Sequence, residues 1–181
     1  MQKNINSGLE INNSEDQKII PEAYMYIINA LFEATRFAMK NGCPFMPNAY
    51  TVNSSTKTVI SISMLFEKEA NKGGLINSIK KAAETNHADF ILIAAKAWTL
   101  DPDNSHRYEE IVKRYGSIAA SPYAVDAISI TLETYQGYWA AVEPTKYLDK
   151  EKNILTFETP DFEFLNAAGG NFSNLLPQMR K

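Results

Sequence analysis

Between Ala88 and Leu100 the chain reads ADFILIAAKAWTL, and Phe90 to Ala95 are six consecutive positions without a polar side chain. Six residues are too few to cross a bilayer. A continuous apolar run of that length, preceded by a polar helical pattern, reads as a strand covered on both faces. Lys96 breaks the run where the strand leaves the core, and Trp98 follows two positions later. The rest of the chain must therefore supply helices to cover a sheet.

Two flanking segments have helical periodicity. Pro21 opens the first, whose Tyr24, Ile27, Ile28, Leu31 and Phe32 recur at three and four residues, with Thr35 and Met39 beyond. Asn41-Gly42 ends it and Pro44 blocks continuation. The second, Glu69 to Asn86, turns Leu75, Ile76, Ile79 and Ala83 inward, and His87 follows at its carboxyl end, where a cationic imidazole suits the helix dipole.

Other segments alternate with period two. Thr56 to Phe66 sets Ile60, Ile62, Met64 and Phe66 against Ser61 and Ser63, with Asn48 to Asn53 as a short strand before it. Ala124 to Tyr135 sets Asp126, Ile128, Ile130 and Leu132 against Ser129, Thr131, Glu133 and Tyr135. Gln136-Gly137 reads as its tight turn, Tyr138 to Glu143 as the returning arm, and Asn153 to Glu158 as a further strand. Tyr108 to Tyr115 adds one or two helical turns.

The expected fold is α/β (α+β) in the order α-β-α-β-β-β(-β). It has a mixed four- to five-stranded sheet with the two main helices on one face and a βαβ crossover ahead of the long strand. Residues 1–18 are polar and expected to be poorly ordered, residues 19–165 form one domain, and residues 166–181 form a tail.

Composition narrows function mainly by exclusion. A net charge of -3 argues against an electrostatic footprint for nucleic acid. Cys43 is the lone cysteine, so no internal disulfide or CxxC site exists; it reads as a small apolar filler. No apolar signal core occurs in the first eighteen residues and no segment is long enough to span a membrane, so a cytoplasmic protein without a membrane partner is expected. The glycosylation patterns at Asn53 and Asn171 then read as chance.

Several residues are candidates for chemistry. Lys96 shares a strand face with Phe90, Leu92, Ala94 and Trp98. Desolvated there it is a candidate base or Schiff-base former; otherwise its stem covers apolar surface and its ammonium pairs with the indole. Asp101, Asp103 and Ser105 begin like a calcium loop, but His106 and Val112 stand where the loop needs glycine and a bidentate glutamate. No metal site or cofactor is expected. His106, near Asp103, Arg107 and Glu109, is a candidate for acid–base work. Glu133 is paired by register counting with Ala140, and Tyr135 with Tyr138. Tyr135, Tyr138 and Trp139 crowd the hairpin turn as either a contact patch or a rim over the core.

The strand ending in Ala97-Trp98 and the Leu132-Glu133-Thr134-x-x-Gly137 hairpin resemble, over Ala88 to Ala141, small prokaryotic or phage-associated α/β proteins. The resemblance transfers no activity. The leading expectation is a non-enzymatic module that binds a protein partner or itself, as a homodimer through its carboxyl-terminal strands. The alternative is a small hydrolase or transferase with Lys96, His106 and Glu133 meeting near the end of the long strand. A weaker third reading places a small ligand between the sheet and the first helix.

Overall fold

The long apolar run is β3 (Phe90–Leu100), a middle strand of a sheet that has seven strands among the described residues. The computed structural model describes residues 19–64, 72–166 and 173–177. The segment 1–18, the expected element ends at Phe66 and Glu69, and Asn171 lie outside the described residues. Before β3 come α1 (Glu22–Lys40), β1 (Asn48–Asn53), β2 (Thr58–Ser63) and α2 (Lys72–Thr85). After it come a 3-10 turn (Pro102–Arg107), α3 (Tyr108–Tyr115), β4 (Ala124–Thr134), β5 (Gly137–Asp149), β6 (Ile154–Phe157) and β7 (Glu163–Leu165).

The strand order is β2-β1-β3-β4-β5-β6, with β7 also on β5, and every neighbouring pair is antiparallel. This corrects the expected mixed sheet of four or five strands. β2 and β3 do run parallel across α2, but β1 folds back between them, so they never share hydrogen bonds. The burial of each strand accounts for the choice. Ala49, Thr51 and Val52 of β1 are buried on both faces, whereas serine-bearing β2 is mostly exposed and takes the edge. β7 went unpredicted because three residues carry no readable period.

The two main helices lie on opposite faces rather than on one. Phe90, Leu92 and Ala94 pack with Ile28, Phe32 and Met39 of α1, while Ile91 and Ile93 pack with Ile79 and Ala83 of α2. Period-two alternation makes this the way to cover an uninterrupted apolar strand. Phe90, Ile91 and Leu92 are fully buried, each stabilising the fold by roughly 1.5–3 kcal/mol.

β5 continues beyond its last pair with β4, Pro144 with Ala127, and its free half carries β6 to the flank of α1. There Phe157 meets Phe32 edge-on at 5.9 Å. Both helix ends close by the same device. Gly42 (φ 84°) and His87 (φ 47°) take the left-handed conformation, and the next residues, Cys43 and Ala88, donate to Ala38 and Ala83 carbonyls at 3.0 and 2.9 Å. Asn86 Nδ2 then donates to the carbonyls of Thr51 and Thr58, tying α2 to β1 and β2.

Candidate functional site

The hairpin register differs from the expected one. Glu133 pairs with Tyr138 and Thr134 with Gly137, leaving Tyr135-Gln136 as the two-residue loop. Thr134 Oγ1 sets it by accepting from the backbone N–H groups of Gln136 and Gly137 at 2.9 and 3.2 Å. Alternation along β5 and the loop position of Tyr135 separate the three aromatics. Trp139 is only 1% exposed and packs edge-on to Phe164 at 5.3 Å, so it is core rather than contact surface. Tyr138 is half-buried and donates to Asn174 Oδ1 at 3.1 Å. Tyr135 remains exposed. Burial first, and the Glu133 carboxylate after it, raise the Tyr138 phenol above its ordinary range.

Glu133 is buried on the α2 face, opposite Ile91. Its carboxylate accepts from Leu175 N at 2.8 and 3.0 Å and from Leu176 N at 2.9 Å. Leu175 fills the core beside α2, so the glutamate serves as an anchor for residues 173–177.

Lys96 lies five residues farther along, ~17 Å by strand rise, and on the α1 face. It is exposed rather than desolvated, and it makes no contact with the Trp98 ring of the kind expected. The cations over rings among the described residues are Arg36, Arg107 and Arg114. His106 sits exposed in the 3-10 turn, capped by Asp101 accepting from Asp103 N. Its neighbour Arg107 is engaged by Glu110 at 2.9 Å and by the Tyr123 ring. No hydrogen bond or ion pair joins Lys96, His106 and Glu133 among the described residues, and the first and last face opposite ways. The three groups of the hydrolase reading are not brought together.

The structure instead gathers other groups around Lys96. A cleft of about 430 Å³ opens between the carboxyl end of α1, the Leu100 end of β3, β4 and the β5–β6 turn. Met39, Phe45, Ile128 and Leu155 contribute apolar lining, and Lys96, Trp98 and Asp126 stand on the sheet wall. Lys152, which pairs with Asp149 at 3.6 Å, and Asn153 close the β5–β6 side. Thr145 Oγ1, donating to the Asp126 carbonyl at 3.1 Å, holds β5 against β4 at this wall. Cys43 lines the rim and is exposed, not the filler expected, because the turn after Gly42 swings it away from the core. The juxtaposition of Trp98 and Lys96 follows from period two. Asp126 joins them through the β3–β4 register, and its only signal in the sequence was a charge ending an apolar row.

Among the described residues no three of His, Cys, Asp and Glu gather as a metal set, and no helix is long and apolar enough to cross a membrane. No protein-family model, no curated protein and no solved structure matches the chain.

Proposed function

We propose that the protein is a self-associating module that extends its sheet through β2. One observation carries the reading: β2 ends the strand order, and no described strand pairs with its outer side. Its sequence, Thr-Val-Ile-Ser-Ile-Ser, has no charge or proline to blunt that edge. The opposite end of the sheet offers only four-residue β6 and three-residue β7, which favours β2 over the carboxyl-terminal strands.

The partner in this reading is a second copy. Met64 N donates to Pro47 O, toward β1, so alternation turns the backbone groups of Val59, Ser61 and Ser63 outward. An antiparallel pair with Ser61 on the two-fold axis matches Val59 to Ser63 and satisfies all of these groups. It also sets Ile60 beside Ile62 of the second copy.

The test is Ser61→Pro, which removes an outward N–H while sparing the bonds to β1. Light scattering across a concentration series is expected to show a dimer for the wild type and a monomer of unchanged circular dichroism for the variant. A wild-type monomer at every concentration, or an undiminished Ser61→Pro dimer, overturns the reading.

A further inference from the structure

We infer that the cleft at the Leu100 end of β3 binds a flat nitrogen heterocycle carrying an anionic group. In this arrangement the ring stacks on Trp98, a ring or exocyclic N–H donates to Asp126, and the anion sits against Lys96.

Trp98 supplies the first argument. Phe90, Leu92 and Ala94, earlier on the same strand face, are buried, yet this indole is 55% exposed and lines a hollow of about 430 Å³. That volume lies within the range of small-molecule sites, which combine apolar walls with a few placed polar groups. An indole face offers a platform on which a planar ring gains contact with little loss of freedom.

The second argument is the unused hydrogen-bonding capacity beside it. The Lys96 ammonium and the Asp126 carboxylate form no hydrogen bond or ion pair with any described residue. An ionised carboxylate only accepts and an ammonium only donates, so the pair asks for one N–H donor and one anion on the same ligand.

Register supplies the third. Trp98 is directly opposite Asp126, and Lys96 opposite Ile128, all on the α1 face. Asp126 therefore stands at the edge of a ring stacked on Trp98, and Lys96 lies one row away, about 7 Å along the strand. Apolar Ile128 and Leu155 beneath exclude water from the ring without competing for its polar edge. The anion is a phosphate, as on a nucleotide, or a carboxylate, as on a heteroaromatic acid; both satisfy Lys96.

Calorimetry and tryptophan emission with adenosine monophosphate, orotate and uncharged adenosine test the inference on the full chain. Trp139 is buried, so ligand quenching reports on Trp98. Saturable binding is expected for one or both anions, with the nucleotide and the acid separating phosphate from carboxylate. Trp98→Ala should abolish binding. Lys96→Met should weaken the charged probes about tenfold, the size of one charge-assisted hydrogen bond, and leave adenosine unaffected. Asp126→Asn should weaken all probes. Circular dichroism of these exposed-site variants should match the wild type. No saturable response to either anion, or anion binding unchanged by both Lys96→Met and Trp98→Ala, overturns the inference.

Discussion

The backbone N–H of Leu175 donates to both oxygens of the Glu133 carboxylate, at 2.8 and 3.0 Å, across 42 positions of sequence. Leu176 N adds a third bond at 2.9 Å. These charge-assisted bonds hold Leu175 in the core beside α2, where it is 1% exposed. Glu133→Gln keeps the shape but weakens the acceptor, and should cost about 1.5–3 kcal/mol in urea unfolding. Hydrogen exchange at the Leu175 and Leu176 amides should accelerate more than at β3. Unchanged exchange there would refute the anchoring role.

Trp139 tests how the hairpin aromatics divide between core and surface. Because it is buried against Phe164, Trp139→Ala should cost about 3–5 kcal/mol. Tyr135→Ala, at an exposed loop position, should fall within about 0.5 kcal/mol of the wild type. Thermal melts of the two variants make the comparison, and equal losses would contradict the assignment.

His87 is a non-glycine residue in the left-handed conformation at the end of α2, with φ of 47°. An L side chain costs roughly 1–2 kcal/mol there. His87→Gly should therefore raise stability by about 1 kcal/mol, read as a higher urea midpoint at constant slope. A lower midpoint would show that the imidazole itself contributes to closing the helix.

Glu158 accepts a hydrogen bond from the Lys146 ammonium, and that bond, followed by the charge of Lys146, holds its carboxyl below the usual glutamate range. A depressed folded value means a contribution present above the unfolded carboxylate range and lost as pH falls through the folded value. Both groups are exposed, so the effect on overall stability is small. The direct measurement is a carbon-13 titration of the Glu158 carboxyl. It should titrate below free glutamate in the wild type and return toward it in Lys146→Met.

Much of the local structure was legible in residue spacing. Ile28, Phe32 and Met39 recur with the helical period and do face the core. The run at Phe90 is the strand buried on both faces, and Ile62 and Met64 do turn inward from Ser61 and Ser63. Lys96 and Trp98 share a face as period two requires, so these two members of the cleft were visible before any fold. Asp126 was not, because its place beside Trp98 depends on which strands pair and in what register.

Sequence by itself therefore determined where the longer helices and strands form and which side chains of α1, α2 and β3 look inward, because those properties repeat over a few residues. Only the tertiary structure decided that β1 lies between β2 and β3, that α1 and α2 take opposite faces, and that Glu133 meets Leu175 rather than Lys96. The physical reason is that these outcomes are competitions among distant segments for the same hydrogen bonds and the same apolar surface. A period fixes a face relative to its own strand, but it carries no information about which partner covers that face.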